Sequence, residues 1–177
     1  HAAARRSANA VVRLTGPELA AGGWIPRIVD LDRANLSGVL ASAGIAFPEE
    51  RRRAALAHPD AVAIILLRGG ELAGYVHLSR DWNDPEDLYV ASLQLAPPYR
   101  GTTAFALLLA AACVAIREMP FRRITSNIQP TNAPVLALAR RLGLTLTPDA
   151  ARPTVHVTAP REWLDSPIIR ELTQRYG

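Results

Sequence analysis

The sequence predicts a mixed α/β domain with a partly antiparallel sheet, on three observations. An apolar, β-branched run over residues 61–67 is followed by Gly69-Gly70 and a second run over 71–79, which is the pattern of a β-hairpin. Residues 87–95 return as a third strand, stopped by Pro97-Pro98. Residues 101–117 are apolar nearly all round, as a helix held between layers must be.

The other elements follow in chain order. Residues 10–14 offer a short strand, and Pro17 with Glu18 opens a helix-prone stretch that runs irregularly through Trp24 and Pro26 to about residue 40. Pro48, Glu49 and Glu50 put a proline and two acids into a first helical turn, where they suit its free amides and dipole; this helix ends near His58-Pro59. The polar stretch 80–86, with Trp82 and Pro85, is the loop inside the meander. Residues 122–128 read as a further strand. Asn132 then caps a helix carrying Val135, Leu136, Ala139 and Leu142 at helical spacing, and Gly143 stops it. Residues 144–146 and 154–157 form a terminal strand pair, and Pro167 opens a last helix to about Tyr176.

Composition narrows the chemistry. A chain of 177 residues builds one core, so one site is expected. Residues 10–177 are read as that single domain, and 1–9, which start with histidine and run through Ala and Arg, as a disordered, trimmed or tagged lead-in. The single Cys113 excludes an intrachain disulfide and a Cys-based zinc site, no metal site is called, and a reducing, cytoplasmic setting is the expectation. Within its buried helix that thiol reads as an inert core residue. All 20 basic residues are arginine, which rules out a lysine Schiff base. Net charge is +4, but the basic residues are scattered and Arg51-Arg52-Arg53 read as a solvated helix face, so no nucleic-acid partner is expected. The longest apolar run, 104–116, is too short to cross a bilayer, and no membrane partner is expected.

The junction Leu93-Gln94-Leu95-Ala96-Pro97-Pro98-Tyr99-Arg100-Gly101-Thr102-Thr103 turns from a strand directly into the buried helix. First-turn amides of a helix point outward with the positive end of its dipole, so a pyrophosphate can dock on backbone alone. Arg100 adds a charged fork and Thr102 and Thr103 add hydroxyls. A plain strand-to-helix turn is the other reading of these residues.

Leu95 to Gly101 resembles the core signature of the GNAT N-acyltransferase superfamily, roughly V-x-P-x-Y/F-R-G-x-G-x-G before a helix. A second segment, Asn132-Ala133-Pro134-Val135-Leu136-Ala137-Leu138-Ala139-Arg140-Arg141-Leu142-Gly143-Leu144, is similar to that family's N-A-x-A-I-x-L-Y-x-K-L-G-F. The resemblance implies a mostly antiparallel mixed sheet of six to seven strands flanked by helices, and transfer of an acetyl or other acyl group from acyl-coenzyme A to an amine by direct attack in a ternary complex. It implies a pyrophosphate on Arg100, Gly101, Thr102, Thr103, Ala104 and Phe105, and a pantetheine arm along the backbone of Leu93 and Leu95 with Asn132 on its other side; Asn127 is counted with these cofactor-binding residues. The thioester then lies where two strands splay.

This chain departs from the family at Thr103 and Phe105, which stand where glycines do, and at Ala139, which stands where a proton-donating tyrosine often does. Replacements for the missing acid and base are sought on neighbouring strands. Tyr89 lies where some members present a base, with Asp87 on its face at period two. His77 has the intrinsic pKa of a base. Ser126 and Asn127 end the strand near the expected thioester, where they could orient a water. Each also has an ordinary structural role open to it: sheet packing for Tyr89 and His77, strand-end capping for Ser126 and Asn127. The acceptor is a small-molecule amine or a protein N-terminus or side chain, and pairing into a homodimer, common in the family, stays open. The alternative is a GNAT-fold module that has lost its chemistry and senses a ligand or binds a protein.

Overall fold

The computed structural model describes residues 8–101 and 103–177. The segment 1–7 of the expected lead-in and the candidate Thr102 lie outside the described residues. The first strand, β1, spans Asn9–Thr15. Two helices succeed it, α1 (Gly16–Ala21) and α2 (Trp24–Ser42), divided at Gly22-Gly23 where Gly23 has φ of 71°. Thr15 and Glu18 form a capping box, in which the threonine oxygen accepts from the Glu18 amide and the glutamate accepts from the Thr15 amide. This is the stretch that the sequence left irregular. The acid-opened helix is α3, Glu49–Ala57.

The meander is β2 (Val62–Arg68), β3 (Glu71–Arg80) and β4 (Leu88–Leu95). Its apolar continuity has a direct cause: both faces of β2 are covered. Ile64 and Leu66 enter a core shared with α4 (Ala104–Arg117), while Ala63 and Ile65 enter a second core beneath α1, α2 and α3. Each fully buried leucine or isoleucine side chain contributes about 1.5–3 kcal/mol, so hydrophobic burial on both faces fixes this half of the sheet. Gly74 is required where β3 meets the end of β4, because a Cβ there would stand 2.7 Å from the Gln94 carbonyl oxygen.

After α4 come β5 (Arg123–Ile128), α5 (Ala133–Arg141), β6 (Thr145–Pro148), β7 (Val155–Pro160) and α6 (Pro167–Tyr176). The seven strands run in the order β1-β2-β3-β4-β5-β7-β6, so the last strand in the chain is inserted between β5 and β6. Among these described strands only the β4–β5 pair is parallel. Helices α4 and α6 pack together with the first core, which Leu164 and Ile169 complete. Cys113 lies in that core, and burial pushes its thiol up to about 12, which keeps it protonated and inert.

Two irregularities in β4 shape the centre of the molecule. Its register against β3 shifts between His77–Ser92 and Leu78–Val90, leaving Ala91 as a bulged extra residue that bends the strand. Against β5 it pairs only at Leu88–Ile124 and Tyr89–Thr125, after which the two strands part. The sheet therefore opens at its middle, towards the C-terminal ends of β4 and β5.

Candidate active site

The split between β4 and β5 exposes backbone that a continuous sheet would hide. The Ala96 amide donates to the Ala73 oxygen on β3 at 2.8 Å, and the Gln94 carbonyl also faces β3. Strand alternation then turns the backbone groups of Leu93 and Leu95 away from β3, towards the split. Ser126 sits at its vertex and donates from Oγ to the Val90 oxygen at 2.8 Å, tying the parting strands. That hydroxyl holds structure.

Where β4 ends, a short 3-10 turn over Pro97–Tyr99 leads to Gly101 and into α4. Gly101 has φ of 73°, a left-handed conformation that suits glycine, and the space where a Cβ would lie is open. Thr103 is the exposed cap residue, Ala104 is fully buried and Phe105 is half-buried. A helix N-terminus behind an open left-handed glycine suits a pyrophosphate. Arg100 donates from its terminal guanidinium nitrogen to Asn35 Oδ1 at 2.6 Å, and Asn35 Nδ2 donates to the Leu95 oxygen at 2.9 Å. Helix α2 thus holds the arginine against the end of β4. On the far side, Asn132 caps α5 by accepting the Val135 amide at 3.4 Å.

A cleft of about 420 Å³ opens over β4, β5 and β7, lined by Asp81, Trp82, Tyr89, Asn127 and His156 together with the β6–β7 loop. Asn127 and His156 are direct partners in the β5–β7 ladder. Their side chains meet, His156 Nδ1 to Asn127 Oδ1 at 3.2 Å, and Asn127 Nδ2 donates to the Tyr89 hydroxyl at 3.4 Å. Asp81 fixes the preceding loop on β5, accepting the Thr125 hydroxyl at 2.7 Å and the Asn83 amide at 2.9 Å. Trp82 stands at the rim, 83% exposed.

The structure brings Tyr89 and Asn127 together and adds His156, which the sequence reading missed. A signal for it existed: in Val155-His156-Val157-Thr158-Ala159 the apolar and polar residues alternate, so β7 shows one polar face.

Two other candidates lie elsewhere. Asp87 stands just before β4 and outside the cleft lining, held by Arg123 at 2.8 Å and Arg122 at 3.3 Å. Burial raises its pKa, but the hydrogen bonds from the two arginines outweigh it and hold the carboxyl below its ordinary range, so it is a poor proton acceptor. His77 is sealed in the second core, 1% exposed, with Nδ1 3.1 Å from an Arg52 guanidinium nitrogen. Burial and that charge lower its pKa to about 3. Around it Asp32 accepts from Arg52 Nε at 2.9 Å and from the Tyr75 hydroxyl, and the two hydroxyls of Tyr75 and Ser92 lie 3.1 Å apart. Burial, above all, also raises the Tyr75 pKa, so neither the imidazole nor the phenol here is poised to exchange a proton near neutrality. Ala139 is buried in α5, in agreement with its apolar character.

A seven-stranded mixed sheet split between its fourth and fifth strands, with a helix N-terminus at the mouth of the split, is the arrangement that the resemblance in the sequence implied. Residues 28–144 match the acetyltransferase (GNAT) family, and the chain belongs to that family. A Bacillus subtilis (strain 168) protein with the provisional name ribosomal protein bS18-alanine N-acetyltransferase is 26% identical over 89 residues, covering 50% of this chain and 57% of that relative. The chain thus spans little more than half the length of that curated relative. Among solved structures, an acetyltransferase from Thermus thermophilus superposes with a TM-score of 0.63 at 18% identity, over 88% of this chain and 98% of that one. The PaiA N-acetyltransferase of Thermoplasma acidophilum, solved in complex with coenzyme A, gives 0.63 at 12% identity over 86% and 99%. Those two likenesses concern the fold. Among the described residues no group of side chains has a metal-ligand arrangement, and no helix is long and apolar enough to cross a membrane.

Proposed function

We propose that this chain transfers an acyl group, acetyl in the simplest case, from coenzyme A to a primary amine by direct attack in a ternary complex. The single observation that carries this reading is the junction of two features: the β4–β5 split, backed by the N-terminus of α4, and the polar cleft whose Tyr89 and Asn127 stand at the vertex of that split. The donor's pyrophosphate rests at the N-terminus of α4, beside Gly101 and Arg100, and its pantetheine arm hydrogen-bonds Leu93 and Leu95 in the manner of a further strand. The amine enters from the cleft on the opposite side of the opening. A donor and an acceptor that arrive from two sides meet without a covalent enzyme intermediate, and the inert Cys113 supports that order of events. The acceptor class is a primary amine, small or on a protein; a protein alanine, as in the name of the Bacillus subtilis relative, belongs to it.

Calorimetric titration with acetyl-coenzyme A tests the donor half. Micromolar binding is expected, weakened about 10- to 100-fold in Arg100→Ala, because one charge-assisted hydrogen bond contributes about 1.5–3 kcal/mol. A folded protein that does not bind acetyl-coenzyme A would overturn the reading in favour of a GNAT-fold interaction module.

A further inference from the structure

We infer that His156 is the general base of this site and that Asn127 sets the tautomer in which it can act; the inference rests on the N-acyltransferase reading above. Asn127 is held at both ends. Its Nδ2 donates to the Tyr89 hydroxyl at 3.4 Å, and its Oδ1 faces His156 Nδ1 at 3.2 Å. A carbonyl oxygen only accepts, so the hydrogen of the neutral imidazole is on Nδ1 and the lone pair is on Nε2. His156 lines the cleft, and among the described residues Nε2 has no hydrogen-bond partner. The ring is half-buried and anchored on a strand between two neighbours, which fixes its direction in a way a loop residue would not share. Its ladder partner Asn127 is only two residues beyond Thr125, the last position where β4 and β5 pair, so the base stands beside the opening of the split.

In the transfer step an acceptor ammonium gives one proton to His156 Nε2, and the freed nitrogen lone pair forms a C–N bond to the acyl carbon as the carbonyl π electrons move to oxygen. When that oxygen re-forms the carbonyl, the C–S bond breaks and the electron pair leaves on sulfur. The second nitrogen proton neutralises the thiolate, which removes the need for an acid at Ala139, and the third stays in the amide. His156 returns its proton to solvent.

The test uses the full chain with acetyl-coenzyme A and a panel of free amino acids, spermidine and an alanine-initiated peptide, read by thiol release. It is paired with long-range nitrogen–proton NMR of the labelled imidazole. The expected result is an Nδ1–H tautomer for His156 that Asn127→Ala shifts towards Nε2–H. His156→Gln lowers kcat about 100-fold while acetyl-coenzyme A affinity stays within about twofold, the low end of what general-base catalysis contributes. Asn127→Ala, which leaves the imidazole in place but frees its tautomer, lowers kcat about tenfold with donor affinity kept. Unchanged melting of both variants excludes unfolding as the cause. An Nε2–H tautomer in the wild-type protein, produced by the opposite amide orientation of Asn127, overturns the inference. So does a His156→Gln variant with wild-type kcat. A wild-type chain with the expected tautomer that turns over none of the amines sinks the acyltransferase reading and the base role with it, an outcome distinct from failure of the imidazole geometry.

Discussion

Two groups of side chains on the same sheet face each contain a histidine and a tyrosine, and they have opposite characters. His77 and Tyr75 on β3 lie under α3 with Asp32 and Arg52, all closed to solvent or nearly so. His156 and Tyr89 lie on β7 and β4, joined by Asn127 and open to the cleft. The closed group contains a full ion pair and an imidazole forced neutral, whereas the open group contains an amide linker with no charge of its own. Residue type does not separate them; the covering helix does. Helices α1, α2 and α3 cap the β1–β3 half of this face, and the cleft opens over β5 and β7.

The largest expected effect is on the closed side. Asp32→Ala leaves the Arg52 guanidinium and the Tyr75 hydroxyl without their carboxylate, and removal of one partner of a buried pair costs about 3–5 kcal/mol, to be read from urea denaturation. An Asp32→Ala protein with wild-type stability would break the comparison at once.

A smaller effect concerns pH. His77 has a folded-state pKa depressed from 6.5 to about 3 by burial and by Arg52. Above pH 6.5 both the folded and unfolded forms are neutral and the contribution is complete; as pH falls from about 6.5 towards about 3, only the unfolded state takes up the proton, so stability is lost. Wild type should therefore lose about 2 kcal/mol relative to His77→Gln between about pH 6.5 and about pH 5, at roughly 1.36 kcal/mol for each pH unit. Parallel curves for the two proteins would show that His77 does not titrate out of the native range.

Trp82→Ala sharpens the open side. Because the indole is 83% exposed, stability should move by no more than about 0.5 kcal/mol, while the KM for the acceptor rises a few-fold and acetyl-coenzyme A binding is unchanged. A loss of donor affinity in this variant would place the rim on the wrong side of the site.

The sequence was most legible where burial is two-sided or where a turn has its own chemistry. The apolar run of β2, the Gly69-Gly70 hairpin and the proline stop after β4 each follow from local physics, and they located the meander to within a residue or two. The insertion of β7 between β5 and β6 was not legible, because strand order depends on long-range pairing and not on any one segment's pattern. The site divided in the same way. Tyr89 and Asn127 stood out as polar residues on central strands, but His156 is 29 residues from Asn127 and meets it only through the ladder. His77 showed the same strand alternation as a functional histidine would; its burial under α3 is a tertiary fact that no period-two pattern contains.

The position of β7 also dictates when the cleft can exist during synthesis. Until that strand leaves the ribosome, β5 has two parallel pairs with β4 on one side and a bare edge on the other, so the nascent chain exposes a pairing template. The six antiparallel pairs from Arg123–Pro160 to Ile128–Val155 close that edge and deliver His156 in the same event. Completion of the sheet and assembly of the cleft therefore depend on the same strand, and a chain released before β7 has neither.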